Sequence, residues 1–228
     1  MIRILTMILF TIFLFTALSG LTHANTIYGV GVKTNSSTWS GKENEKAFSA
    51  DARVTSININ AHKKHFYWGL NFSGGNFYFG DISPNHPNKV TFDHDEPITL
   101  SHFDIFSGYD FWQYGSAFIA IKTVNLIWPT DDRVTWSGIG GGVQGFYPIS
   151  EHWVAYSTLS ITPMFVDADD KSPGRGVYVG INLGINYLFW QRYYLHSALT
   201  SENLSYTIET ETNNFSFGGV LVGFGAKF

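Results

Sequence analysis

The sequence predicts an all-β protein, a single antiparallel transmembrane β-barrel of ten strands, with eight strands as the alternative. Three observations support this. The first residues have the pattern of an export signal, and no later apolar stretch is long enough for a transmembrane helix. Only 14% of the residues are charged, against about a quarter in an average soluble domain, while 17% are aromatic. Apolar residues alternate with small or polar ones in many segments. In lipid, a chain without helices satisfies its backbone only as a closed barrel.

The N-terminal segment has the layout of a secretory signal peptide. Arg3 supplies a positive charge, residues 4–18 form a short apolar run, and small residues follow at the two positions that signal peptidase recognises. We predict cleavage after Ala24, so that residues 1–24 are removed and residues 25–228 form one barrel domain. The alternative is an uncleaved membrane anchor. The chain has no cysteine, which excludes disulfide bonds and a lipid-modified cysteine.

Alternation is clearest in residues 177–189. One face of this segment is continuously apolar and consists of Val177, Val179, Ile181, Leu183, Ile185, Tyr187 and Phe189. The other face is mostly glycine and asparagine and consists of Tyr178, Gly180, Asn182, Gly184, Asn186 and Leu188. A strand of a soluble sandwich also alternates, but its solvent face usually carries lysine and glutamate. An apolar outer face with small amide residues inside is typical of a membrane strand.

The same pattern predicts the remaining strands. They are residues 26–34, 49–61, 65–79, 98–112, 115–126, 134–148, 152–166, 175–189, 192–207 and 215–228. Short turns at 62–64, 113–114, 149–151 and 190–191 alternate with longer polar loops at 35–48, 80–97, 127–133, 167–174 and 208–214. Bacterial barrels alternate short periplasmic turns with longer outer loops, and an even strand number puts both termini on the periplasmic side. Eight strands remain the alternative because the first hairpin and residues 192–207 show the pattern least clearly.

Aromatic residues cluster near the ends of the predicted strands. Those beside the short turns are Phe66, Tyr67, Trp68, Phe111, Trp112, Tyr114, Tyr147, Trp153, Phe189, Trp190, Tyr193 and Tyr194. Those beside the long loops include Phe77, Tyr78, Phe79, Trp128, Trp136, Phe165 and Tyr206. Rings with an apolar body and a polar tip favour the boundary between lipid and water. We therefore predict two aromatic girdles, one at each membrane surface.

The last strand has apolar residues at every second position and ends on an aromatic one. These residues are Val220, Val222, Phe224, Ala226 and Phe228. The ending resembles that of Gram-negative outer-membrane β-barrel proteins, and the whole chain looks like the small opacity, OmpX and OmpW types with more strands. The resemblance implies an outer-membrane location among lipids and lipopolysaccharide. It also implies that Val220, Val222, Phe224 and Phe228 form a signal for the barrel assembly machinery.

Because successive side chains of a strand point to opposite faces, several polar residues are predicted to lie inside the barrel. They are His102, Asp104, Asp110, Lys122, Gln144, Asn182, Asn186, His196 and also Lys227. Ionisable residues in membrane strands face the interior and find partners there. Such a network either lines a narrow polar pore or acts as a plug of ion pairs, because a barrel of about ten strands is only slightly wider than its side chains can fill.

The predicted outer loops carry most of the acidic residues, with dense clusters at residues 93–96, 131–132 and 167–170. Oxygen-rich clusters suit calcium or magnesium, which could bridge to the phosphates of lipopolysaccharide. The alternative is a hydrated rim without a specific ligand. Asp93, His94, Asp95 and His86 do not define a transition-metal geometry, so no metal site is predicted. No cofactor is predicted, and the net charge of −4 does not favour nucleic-acid binding.

No catalytic residues are predicted. His196 is followed directly by Ser197, whereas lipid A deacylases use His-x-Ser, so the serine here falls on the opposite face of the strand. Omptin-type proteases use an acidic pair and an Asp-His dyad above the membrane, and we expect this chain to be too short to extend so far. We predict a narrow porin-like channel or a structural, surface-interaction barrel. The alternatives are a lipid A-modifying or omptin-like enzyme, or an adhesin that uses loops 35–48 and 80–97.

Overall fold

The computed structural model describes residues 26–43, 46–78, 97–128, 133–168, 173–190, 192–208 and 211–228. The predicted signal peptide and the predicted loop 80–97, apart from Pro97, lie outside these residues. The strands are β1 (Thr26–Glu43), β2 (Lys46–Lys63), β3 (Phe66–Tyr78), β4 (Ile98–Trp112), β5 (Gly115–Ile127), β6 (Arg133–Pro148), β7 (Trp153–Ala168), β8 (Gly174–Phe189), β9 (Tyr193–Ile208) and β10 (Glu211–Lys227). Within the described part of the chain, no helix is long and apolar enough to span a membrane.

The ten strands pair antiparallel with their neighbours in the sequence, and β1 pairs with β10 to close the barrel. Closure runs from Gly29 opposite Lys227 to Lys42 opposite Asn214. At the very end, the amide of Phe228 donates to the carbonyl of Tyr28 at 2.8 Å, and the amide of Tyr28 donates back at 3.0 Å. A closed barrel leaves no unpaired strand edge. The predicted fold and the strand number of ten are confirmed, and the eight-stranded alternative is wrong.

The short turns lie together at one end of the barrel with the start of β1 and the end of β10, and we call this the turn end. The opposite end is the loop end. At the turn end, Lys64 and Trp190 have φ values of 57° and 50°. Tight hairpin turns need such left-handed backbone to follow the twist of the flanking strands. The four predicted short turns are therefore found where expected, with small shifts in their bounds.

The predicted long loop at 35–48 is wrong. β1 continues to Glu43 and β2 begins at Lys46, so both strands are 18 residues long. The predicted loop 208–214 is likewise mostly strand, because β9 ends at Ile208 and β10 begins at Glu211. Both segments are polar and were assigned to loops for that reason. They are polar because their outer faces meet water.

On the half of the barrel nearer the turn end, most outward side chains are apolar and exposed. This surface, the membrane belt, includes Val30, Val32, Ile57, Ile59, Phe72, Ile119, Ile121, Ile139, Val143, Leu159, Ile161, Ile181, Leu183, Leu195, Leu199, Val220, Val222 and Phe224. An exposed apolar band that encircles a closed barrel is the lipid-facing surface of a membrane protein.

Nearer the loop end, most outward side chains are polar and exposed. This surface, the loop-end wall, includes Ser36, Thr38, Ser40, Asp51, Arg53, Thr55, Asn76, Thr99, Arg133, Ser201, Asn203, Ser205 and Thr207. A membrane strand needs only about 9–11 residues, and most strands here have 15 or more. The barrel therefore extends beyond the lipid at the loop end. The expectation that the chain is too short to do so is wrong.

A lysine scan on the outer surface tests where the membrane belt ends. Leu183 is 54% exposed in the belt, so Leu183→Lys places a charge in lipid and should lower the free energy of unfolding by about 2 kcal/mol or more. Ser205→Lys, on the loop-end wall, should have almost no effect because its side chain faces water. Urea titration of the protein refolded in lipid vesicles measures both values. Equal losses at the two positions would contradict the boundary.

Candidate functional site in the lumen

The inward side chains change from apolar to polar at a similar level on most strands. On β4, Ile98 and Leu100 lie nearer the loop end than His102. On β5, Leu126 and Val124 likewise lie nearer the loop end than Lys122. Because β4 and β5 pair with His102 opposite Val124 and Asp104 opposite Lys122, the two transitions meet side by side. The lumen thus has an apolar loop-end part and a turn-end part in which polar and charged side chains lie beside apolar ones such as Phe106 and Phe118.

The apolar part is a packed cluster, which we call the loop-end core. All ten strands contribute to it, through Trp39, Ala50, Val54, Phe77, Ile98, Leu100, Val124, Leu126, Trp136, Met164, Val166, Ala168, Tyr178, Leu204, Tyr206, Phe215 and Phe217. Trp39, Phe77 and Trp136 are at most 1% exposed. Burial of such aromatic side chains is a large stabilising contribution in any fold. Here it holds together the section of the barrel that stands outside lipid.

Aromatic contacts in this core cross the lumen. Trp39 of β1 lies edge-on to Phe215 of β10, with ring centroids 5.2 Å apart. Phe215 in turn contacts Trp136 of β6, four strands away around the barrel, at 6.1 Å. β1 and β6 are on opposite sides of the closed sheet. A continuous row of rings therefore spans the interior and fills it from wall to wall.

These rings correct the predicted outer girdle. Tyr78 and Phe165 face outward and are 59% and 73% exposed, as a girdle requires. Phe77, Trp136 and Tyr206 instead point inward and belong to the loop-end core. Proximity to a long loop does not reveal which face of the strand a ring occupies, and parity along each strand would have shown it. Phe79 lies outside the described residues.

Below the loop-end core is a cavity of about 750 Å³. It is lined by every residue predicted from parity to face the lumen, namely His102, Asp104, Asp110, Lys122, Gln144, Asn182, Asn186, His196 and Lys227. Two of its lining residues at the turn end, His62 and Lys227, reach solvent, and the His62 side chain is 40% exposed. The cavity therefore opens at the turn end and is closed at the loop end by the rings above it.

A charged cluster of His102, Asp104 and Lys122 lies directly beneath the loop-end core. Lys122 Nζ, His102 Nε2 and Asp104 Oδ1 are each 2.8 Å from the other two. Lys122 donates to Asp104, whereas Nε2 of His102 either accepts from Lys122 or donates its own proton to Asp104. The Lys122 and Asp104 side chains are 7% and 15% exposed. Two opposite charges removed from water in this way stabilise each other only as a pair.

The charged cluster continues across the lumen through Tyr178 and Glu202. Lys122 Nζ lies 4.3 Å from the centre of the Tyr178 ring, a cation–π contact between β5 and β8. The Tyr178 hydroxyl donates to the Glu202 carboxylate on β9. Glu202 lies on the same face of β9 as His196, so parity could have identified it, and it was missed.

Two further polar groups lie nearer the turn end. His196 Nδ1 is 2.7 Å from Asn186 Oδ1, and its Nε2 is 2.8 Å from the Tyr156 hydroxyl. A neutral ring satisfies both contacts by donating to the amide oxygen and accepting from the tyrosine. His62 and Asp110 form the other group, with Nε2 and Oδ2 2.7 Å apart. The cavity wall is therefore rich in fixed hydrogen bonds.

The remaining predicted residues fall as follows. Val220, Val222, Phe224 and Phe228 all face outward and are 47–70% exposed, and their role in assembly stays a prediction. His196 faces the lumen while Ser197 is exposed outside, so the two are on opposite faces of β9. The acidic clusters at 93–96, 131–132 and 169–170 lie outside the described residues. In the part of the chain that the structure describes, no group of three or more His, Asp or Glu side chains could hold a metal ion.

The charged cluster predicts a specific stability pattern. Asp104→Asn leaves the Lys122 ammonium buried without its counter-charge and should lower the free energy of unfolding by about 3 kcal/mol. The double variant Asp104→Asn with Lys122→Met removes both charges and should recover most of that loss. Asp51→Asn on the loop-end wall is the control, because Asp51 is exposed. Urea unfolding in micelles measures all three, and a double variant no more stable than Asp104→Asn would refute the pairing.

Comparison with known proteins agrees with this architecture. No protein-family model matches the sequence, and no curated protein matches it. The outer membrane protease OmpT from Escherichia coli superposes with a TM-score of 0.55 at 10% identity, over 91% of this chain and 98% of that one. Neisserial surface protein A (NspA) has a TM-score of 0.46 at 10% identity, over 89% and 97%. OprG from Pseudomonas aeruginosa has a TM-score of 0.35 at 11% identity, over 90% and 96%.

At these identities the likeness concerns the fold alone, and it carries no activity from those proteins to this one. The membrane belt independently shows that the barrel is built for lipid. The ten-stranded closure, the belt and the likeness to OmpT agree with one another. The chain has the fold of a Gram-negative outer-membrane β-barrel protein.

Proposed function

We propose that this protein is a closed, structural barrel of the outer membrane whose loop end stands above the lipid as a rigid support for surface interactions. The observation that carries the proposal is the row of rings across the lumen from Trp39 through Phe215 to Trp136. A solute that crossed the barrel would have to displace side chains that are almost completely buried. In the proposed orientation the turn end faces the periplasm, as in other bacterial barrels.

The loop-end wall supports an interaction with lipopolysaccharide. Arg53, Arg133 and Arg175 are exposed on the outer face of β2, β6 and β8, near the loop end of the barrel. Guanidinium groups bind phosphate with two parallel hydrogen bonds, and lipopolysaccharide carries phosphates close to the membrane surface. Direct contacts of this kind do not require the divalent-ion bridge that the acidic loops suggested. The lipids around the membrane belt are the other proposed partners.

A narrow porin-like channel is the second candidate, and the turn-end cavity of about 750 Å³ favours it. Its polar lining would accommodate water and ions over the lower half of the barrel. Conduction would then need the loop-end core to open. The two candidates differ in one property that can be measured directly, the permeability of the intact barrel.

Planar-bilayer recording distinguishes them. The refolded wild-type protein should show no discrete current steps, because the loop-end core seals the lumen. The triple variant Trp39→Ala, Phe77→Ala and Trp136→Ala removes the largest sealing side chains and should produce steps.

The matched control replaces two outward rings, Phe72→Ala and Phe165→Ala, which are 41% and 73% exposed. This control should remain silent. Discrete steps from the wild-type protein would overturn the closed barrel and support the channel instead.

A further inference from the structure

The charges that line the turn-end cavity do not all have partners. Its carboxylates are Asp104, Asp110 and Glu202. Asp104 is bound by Lys122, Asp110 by His62, and Glu202 by the Tyr178 hydroxyl. Two lysines of the lining, Lys33 and Lys227, have no carboxylate partner among the described residues. The three lysines and three carboxylates of the lining balance in formal charge over the whole wall, but Lys33 and Lys227 are not paired directly with any of these carboxylates.

Lys33 is the deeper of the two lysines. It lies on β1 opposite Ser56 of β2 and Gly223 of β10. Its side chain makes no hydrogen bond or ion pair with any residue that the structure describes. Its stem crosses β10 where Gly223 has no side chain, since a Cβ built there would be 2.6 Å from Lys33 Cγ. His196 is the ionisable group that interacts with it electrostatically, and His196 brings no negative charge. A cation held inside a barrel without a counter-charge is costly, and an anion bound beside it would relieve that cost.

A hydrogen-bond donor lies beside Lys33 on its turn-end side. The Tyr194 hydroxyl approaches within 3.0 Å of the position that a Cβ on Gly31 would take. Gly31 is the next inward residue of β1 after Lys33 in that direction. Tyr194 also forms a hydrogen bond with the Asn58 side chain, which holds the hydroxyl at the cavity wall, where its O–H can donate to a ligand. An ammonium group and a hydroxyl donor together suit a carboxylate or phosphate oxygen.

Lys227 is exposed at the mouth of the cavity, with its ammonium 5.9 Å from the centre of the Tyr194 ring. It pairs with Gly29, four residues along β1 from Lys33. At about 3.3 Å per residue the two lysines are roughly 13 Å apart along the same side of the lumen. An anion that came in from the turn end would meet Lys227, then Tyr194, then Lys33.

We propose that the turn-end cavity is a binding site for a small anion with a carboxylate or phosphate group, which has Lys33 as its counter-charge and the Tyr194 hydroxyl as its donor. The site lies entirely below the loop-end core. It therefore does not depend on whether the barrel conducts.

Calorimetric titration of the refolded full chain in micelles tests the proposal, with inorganic phosphate and acetate as separate probes. At least one should bind saturably at millimolar concentrations, and which one binds identifies the class of oxyanion. Lys33→Met should weaken binding by about ten-fold or more, because it removes a charge-assisted hydrogen bond. Lys33→Arg should retain most of the affinity. Tyr194→Phe should weaken binding to a smaller extent.

Lys64→Met is the matched control, because Lys64 is exposed in a turn outside the cavity, and it should leave binding unchanged. Ser56→Asp provides a second test that does not depend on removing a lysine. It places a carboxylate opposite Lys33 and should abolish anion binding while the barrel stays folded. Failure of both probes to bind the wild-type protein would overturn the proposal. So would equal affinities for wild type and Lys33→Met, or an equal loss in Lys64→Met.

Discussion

One geometric constraint underlies the whole molecule, namely that successive side chains of a strand point to opposite faces. In this barrel the outer solvent changes from lipid to water partway along each strand. The outer face must change from apolar to polar at that level, and the inner face makes the opposite change. Val32 outside and Lys33 inside give way along the same strand to Thr38 outside and Trp39 inside. The membrane section thus has a polar interior, and the loop-end section is built like a water-soluble barrel.

The loop-end core follows from this change of the inner face from polar to apolar. A barrel section surrounded by water gains nothing from its outer face and must bury apolar side chains inside to be stable. Trp39, Phe77 and Trp136 do so almost completely. The same packing closes the lumen, because an interior of about ten strands is filled by side chains of this size. Stability outside the membrane and a permanently open pore are therefore competing demands on one set of residues. The buried aromatic rings show that this chain meets the first of them.

The alternation of side chains between the two faces of each strand explains which features of the barrel were predicted from the sequence and which were not. Strand number, closure and the inward placement of residues such as His102 and Lys122 follow from period-two alternation, which depends only on the backbone. The extent of β1 and β2 was underestimated because polar residues such as Ser36 and Thr38 resemble a loop when lipid is assumed on the outside. Trp136 and Tyr206 were included in the predicted outer girdle because they are near long loops, although alternation along their strands places them inside. Lys33 was missed because its lack of a partner depends on distances between β1, β2 and β10, which alternation does not contain.

The charged groups that line the turn-end cavity are paired to different extents. Lys122 and Asp104 form an ion pair, and the Glu202 carboxylate accepts a hydrogen bond from Tyr178. Lys33 and Lys227 have no carboxylate partner among the described residues, and in this part of the chain the cavity around them opens toward the turn end. A ligand held there would come and go on one side of the membrane, so its occupancy would follow the concentration on that side alone. Because such a ligand binds only the folded barrel, it would also stabilise the barrel by mass action. An unpaired lysine in a cavity of this kind is thus the feature on which the proposed anion site depends.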